Sequence, residues 1–346
     1  AYVVVTIGVL WFTAPLWQTS DRIFVGLLAT DGVVTPWFYD FVARETAAGR
    51  DLALLEDFDF PNPLPMGSEF PSTMDAVIAA PISWFFGWPQ RWGIIQSAAV
   101  LINALSLAIL ARVMGLRFLG IVAAGVCAIF MRPMWSDMML ARMNVITPGW
   151  AILAMAFSLA AFPRDVLGRR RKYWKRGAAV LLASGFGAIA ALVYPPFVLM
   201  VVPIGIVLAV PFLRHGGWFG WVLPVVSAGL AYYWCFDELW GIYSSNLRSA
   251  QCSDLTCPDQ YHTVSWENMS VWSFVKGNGL SLSGIQGGAW LLAPLALLHR
   301  RWRWGGLLLI LTALSMAFLS RGPCPDDLPF MHRGADWYAP FKPYLS

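Results

Sequence analysis

Apolar runs of bilayer-crossing size recur along the chain, at 92–110, 118–131, 145–162, 178–194, 196–213 and 218–236 among others, each closed by a short charged or Gly/Pro-rich segment. A spanning helix needs about 20 mostly apolar residues, and a bilayer interior accepts only backbone that satisfies its own hydrogen bonds. The spacing therefore predicts an all-α polytopic membrane protein. Composition agrees: of 346 residues 58% are hydrophobic and only 13% charged, with nineteen Trp, unlike a soluble domain. Little sequence is left for a soluble catalytic domain, so any chemistry must use loops or span ends.

Charge sorts those loops. If the spans alternate, Arg112, Arg117, Arg164, Arg169, Arg170, Arg171, Lys172, Lys175, Arg176, Arg214, Arg300, Arg301 and Arg303 fall on one side, and every Asp and Glu except Asp165 falls on the other. Basic loops stay cytoplasmic because translocating them is unfavourable, which puts the acidic face outside. The assignment that fits every basic cluster has nine spans, a cytoplasmic N-terminus and one transmembrane domain over 1–346, as in a bacterial inner-membrane protein, with spans also at 2–17, 284–298 and 305–319. The chain opens in an apolar run at Ala1 without the basic region of a signal peptide, and so reads as a retained anchor within a longer protein.

Two large outer loops result. The first, 18–91, holds ten of the twenty acids. Within it 37–55 carries Trp37, Phe38, Phe41 and Val42 between charges, the pattern of an amphipathic interfacial helix, with Gly49 interrupting it. Pro61, Pro63 and Pro65 then enforce an extended stretch, and 75–88 is apolar enough to be an interfacial or re-entrant helix. The second loop, 237–282, carries Cys252 and Cys257, which an oxidising compartment would join as a local disulfide. A metal site there has no nearby ligand beyond His262, and Cys324 is unpaired or bonded elsewhere. Cys127 and Cys235 lie in apolar runs and behave as small hydrophobes.

Candidate chemistry lies in the outer segments. Asp31, followed by Gly32, can take a proton from a hydroxyl as it attacks a sugar carbon, or can simply cap a helix ahead of Trp37. Asp57 and Asp59 have the spacing by which two carboxylates share one divalent cation, Mg or Mn, on a diphosphate; the alternative is a solvated acidic turn. Asp137, with Arg132 and Arg142 beside it, can orient a substrate hydroxyl while the guanidinium groups grip a phosphate, or the three can pair with each other at a membrane rim. Arg321, His332 and Arg333 can stabilise a phosphate leaving group or anchor among headgroups. No nucleotide-binding Gly loop, zinc motif or haem motif is legible, and 169–176 reads as a topology signal touching anionic lipid rather than nucleic acid.

The order of features resembles a family. One span, then a long outer loop with Asp31, Tyr39, Ala43 to Ala47, Gly49, Pro65-Met66-Gly67-Ser68 and a segment closing in Trp84-Phe85-Phe86-Gly87, resembles the first loop of GT-C fold integral-membrane glycosyltransferases and the related YfhO-like proteins. The short link from Trp135 to Met143, with Asp137 its single acid, resembles their second shared element. The resemblance covers about the first 160 residues of 346. It implies sugar transfer from a polyprenyl-phosphate donor on the outer face, with Asp31 as the first-loop acid and Asp137 as the second.

Two other classes compete. A non-catalytic subunit of a larger membrane complex would use the abundant Trp and Phe as interface area. A transporter or flippase would place ionisable groups inside its spans, whereas the strongly polar groups there are Gln96, Asn103 and Gln286.

Overall fold

The computed structural model describes residues 1–18, 31–50, 52, 54–55, 64–65, 73–129, 134–135, 138, 143–235 and 307. Contacts divide the chain into two units, Ala1–Leu247 and Arg248–Ser346, and the first holds all the described elements that follow. Its helices are α1 (Tyr2–Gln18), α2 (Asp31–Ala48), α3 (Thr73–Phe85), α4 (Gln90–Val113), α5 (Phe118–Ile129), α6 (Met143–Ile146), α7 (Gly149–Ala160), α8 (Tyr173–Val193), α9 (Pro195–Gly216) and, after a 3₁₀ turn at Trp218–Trp221, α10 (Val222–Cys235). Among the described residues strand pairing is limited to an antiparallel ladder of Leu54–Leu55 (β1) with Leu64–Pro65 (β2) and a bridge between Arg164 and Arg170. The fold is all-α, as the sequence predicts.

Two of these helices, α4 and α8, are long and apolar enough to cross a membrane, with 24 and 21 residues. At 1.5 Å per residue they reach about 36 and 32 Å, against a hydrocarbon core of about 30 Å. Helix α4 is the centre of the unit, with α1, α5 and α7 packed around it. Its buried face is built from Gly93, Ala99, Ala104, Ser106, Ala108 and Ala111, small side chains that let neighbouring backbones approach. On α5, Gly125 is required for the same reason: a Cβ there would sit 2.7 Å from the Val5 methyls of α1.

Beyond α4, α7 packs chiefly on α8, and α9 packs against both. Trp150, Phe157 and Phe186 form a stacked aromatic run between α7 and α8. The helix α9 begins where Tyr194 leaves helical geometry and prolines occupy the first two helical positions, as the Tyr194-Pro195-Pro196 sequence dictates.

Of the amphipathic pattern at 37–55, Leu54 and Leu55 belong to β1, while residues 37–48 lie in α2, which is followed by Gly49 with φ +66°, a left-handed conformation that favours glycine. Its apolar stripe, Phe38, Phe41 and Val42, is buried, and α2 packs against α3. The Trp84 indole of α3 donates to the Ala43 carbonyl at 3.0 Å, and Arg91 at the start of α4 pairs with Asp40 at 2.7 Å. The helices of the first acidic loop are thereby fastened to one another and to the start of α4.

Two predicted spans differ in detail. The run 145–162 is not one continuous helix: α6 stops at Ile146, Thr147 is non-helical, and α7 starts only at Gly149, leaving twelve residues. Pro148 lacks an N–H and disfavours helix at Thr147, and side chains from other helices supply the hydrogen bonds that the break removes. The run 178–194 instead begins at Tyr173, which draws Lys175 and Arg176 into the first turn of α8. Cations oppose the dipole there. Arg176 nonetheless folds back to donate to the Ala161 carbonyl at 3.0 Å, just past the end of α7.

Candidate functional site at the break between α6 and α7

A helix broken inside an apolar bundle exposes backbone groups that need partners, and Asn103 supplies them from the middle of α4. Its amide nitrogen donates to the Ile146 carbonyl at 2.6 Å, and its carbonyl oxygen accepts the Gly149 N–H at 2.9 Å. One side chain thus satisfies the last residue of α6 and the first of α7. Two turns earlier on the same face of α4, the Gln96 amide donates to the Met138 carbonyl at 3.4 Å. Such polar side chains serve as struts where irregular backbone passes through an apolar interior.

On its other side the break is held by Asp75, in the first turn of α3. Its Oδ2 accepts the Thr147 hydroxyl at 2.6 Å and its Oδ1 accepts the Trp150 indole N–H at 2.9 Å. The carboxyl is only 7% exposed. Burial penalises its charged form and pushes its pKa up to about 6, with the Thr147 and Trp150 hydrogen bonds offsetting part of that rise. Asp75 also stands near the positive end of the α3 dipole, which favours negative charge.

Tyr39 of α2 completes the surroundings. It is buried edge-on against Trp92, ring centroids 5.6 Å apart, and its hydroxyl has no hydrogen-bond partner among the described residues. Burial raises its pKa well above the usual phenol value and the Asp75 charge adds to that, so the phenol stays neutral. The cluster therefore combines a carboxyl with a pKa of about 6, neutral O–H and N–H donors, and the rings of Tyr39 and Trp150, the latter stacked on Phe186. A carboxyl with such a pKa suits proton exchange with a hydroxyl.

Of the residues proposed from sequence, Asp31 is placed as the first residue of α2, which fits a helix-start position. Asp57, Asp59, Arg132, Asp137, Arg142, Cys252, Cys257, Arg321, His332 and Arg333 lie outside the described residues. Among the described residues no three His, Cys, Asp or Glu side chains gather as a metal site, Cys127 is a free thiol, and the buried Cys235 thiol donates to the Ala231 carbonyl at 3.0 Å. Sequence reasoning passed over Asp75, Tyr39, Thr147 and Trp150 as a group. One signal for Asp75 was present, a single acid within an otherwise apolar helix, because a charge in such a place is retained only for a partner or a task. No protein-family model, curated protein or solved structure matches the chain, so the reading of this cluster rests on its own geometry.

Proposed function

We propose that the chain is a membrane glycosyltransferase-like protein that transfers a sugar from a polyprenyl-phosphate donor on the extracytoplasmic face. The proposal includes nine spans, a cytoplasmic N-terminus and the acid-rich loops outside. The observation that carries it is Asp75, a buried first-loop carboxyl with pKa about 6, fixed by Thr147 and Trp150 at a helix break. Transfer of this kind needs a base that removes the acceptor hydroxyl's proton as its oxygen bonds to the sugar carbon and the lipid phosphate departs with the bonding electrons. A carboxyl poised near the working pH is suited to that step. Asp31 stays a candidate for the same role on resemblance, with Asp137 assisting. Arg132, Arg142 or Arg321 would hold the donor phosphate, with His332 and Arg333 near the leaving group and Asp57 and Asp59 available for a divalent cation.

The direct test is sugar transfer from a radiolabelled polyprenyl-phosphate sugar by membranes carrying wild type, Asp31→Asn or Asp75→Asn. Loss of the base should lower kcat by about 10²- to 10⁴-fold with little change in KM. Equal rates in all three would remove both carboxylates from the chemistry. A second reading, a non-catalytic subunit of a membrane complex, is favoured by the exposed Trp84, Phe85, Phe86 and Trp88 at the end of α3. A partner that co-purifies at fixed stoichiometry through that surface would support it.

A further inference from the structure

Along α7 from Trp150, the partner of Asp75, runs a second feature with a different chemistry. Helices α7, α8, α9 and α10 enclose an open groove of about 650 Å³ lined almost wholly by apolar and small side chains, among them Ala154, Gly187, Gly205 and Ala228. The volume is in the range of sites that hold a small organic ligand. Its walls follow α7 from Ala151 to Leu159 and continue to Phe162 just beyond the helix end. The twelve residues of α7 measure about 18 Å, close to the ~15 Å of one leaflet's hydrocarbon. The groove thus has the length of one acyl chain.

The groove itself is lined by no charged side chain, but a cationic turn lies just beyond its end at Leu159 and Phe162. Arg171 donates through Nη1 to the Leu159 carbonyl at 2.8 Å and lies over the Phe212 ring, which packs on Phe162 at 5.5 Å. That bond uses one of the five N–H donors of the guanidinium, a group whose planar fork suits phosphate. Arg164, Arg170, Lys172 and Lys175 are exposed around it. The one acid of this turn, Asp165, is engaged by Arg169 at 2.7 Å. Asp165 faces Arg171 as well as Arg169, but as the one acid against Arg164, Arg169, Arg170, Arg171, Lys172 and Lys175 it leaves this end strongly positive, so an apolar channel one leaflet deep beside it is complementary to an anionic amphiphile.

We propose that this groove binds one anionic glycerophospholipid, an acyl chain lying along α7 and the phosphate against Arg171. The proposal is independent of the sugar-transfer reading, since the groove lining uses none of the residues assigned there and the phosphate would sit at the basic end, away from Ala151 and its neighbour Trp150. Basic pockets between membrane helices recognise anionic headgroups at about 1 kcal/mol per cation, roughly fivefold in affinity.

The test is native mass spectrometry of the full chain, purified in detergent and titrated with phosphatidylglycerol or phosphatidylcholine of identical acyl chains. Wild type should retain a single phosphatidylglycerol at least fivefold more tightly than phosphatidylcholine. Arg171→Gln should erase that preference, and Ala228→Trp, which fills the groove without touching the cations, should abolish retention of both lipids. The headgroup comparison in wild type stands even if Arg171→Gln fails to fold. Equal retention of the two lipids, retention unaffected by Ala228→Trp, or a photo-crosslink from position 228 into protein, whether another segment of this chain or a second copy, would overturn the proposal.

Discussion

The Thr147 hydroxyl donates to the Asp75 carboxylate at 2.6 Å across 72 positions of sequence, and the Trp150 indole binds the other carboxylate oxygen at 2.9 Å. The two bonds clamp the first turn of α3 to the start of α7, so this one carboxyl adds a polar tie between a helix of the first acidic loop and the core of the bundle.

Removing that carboxyl leaves the Trp150 indole N–H without its acceptor and the Thr147 hydroxyl with only the Met143 carbonyl at 3.4 Å. Asp75→Ala should destabilise the protein by about 1 to 3 kcal/mol, the cost of a donor left unsatisfied. Asp75→Asn keeps the volume and one acceptor and should cost less. Thermal unfolding in detergent, followed by tryptophan fluorescence, measures both; an Asp75→Ala protein as stable as wild type would show that the clamp carries no net energy.

The same carboxyl makes stability depend on pH in an unusual direction for an acid. Its folded pKa of about 6 lies above the ordinary carboxyl value of 3.8 because burial disfavours the charge. Between those values the folded state holds a proton that the unfolded state has released, so Asp75 contributes its full stability below pH ~4 and loses it as pH rises through about 6. A rise from 3.8 to about 6 corresponds to about 3 kcal/mol at most. Melting temperatures from pH 4 to 7 should fall with this component in wild type and lack it in Asp75→Asn.

Asn103 offers a test of the break itself. Asn103→Leu preserves size but leaves the Ile146 carbonyl and the Gly149 N–H without their partner, and should cost on the order of 3 kcal/mol. Hydrogen exchange at Gly149 should accelerate relative to amides in the middle of α8. Unchanged protection at Gly149 would mean that the break is satisfied by other means.

Packing of α1 on α5 depends on the absence of one side chain. Gly125→Leu must push the helices apart, because even a Cβ would meet the Val5 methyls at 2.7 Å and the Ala104 carbonyl at 3.2 Å. Overpacking of this kind costs about 1–3 kcal/mol. The lost stability is read by denaturant titration, and Val5→Ala in the same chain should restore part of it.

Much of this architecture is legible in the residues. The apolar runs predict α4 and α8, Gly49 ends α2, and the paired prolines separate α8 from α9, because each of these depends on local chemistry. The break at Thr147 and Pro148 is harder to read. Pro148 hints at it, but the run is apolar enough to pass for one span, and what makes the break tolerable is Asn103, more than forty positions away. Gln96 and Asn103 stand out in the sequence as polar residues in a span, although their role as backbone struts becomes visible only once Met138, Ile146 and Gly149 are placed beside them. Asp75 is obscured by the opposite effect: the apolar character of its helix draws attention to burial rather than to the one acid inside it. The acids singled out on position alone fall largely outside the described residues, and Asp31 is placed only by its backbone.

Arg171 and Arg176 both donate to carbonyls around the end of α7, at Leu159 and Ala161. The positive charges that would tell an insertion machinery which way to thread the chain also finish a helix in the folded product. Relocating them to invert the protein would leave that terminus frayed, so orientation and folding cannot be varied separately at these two positions.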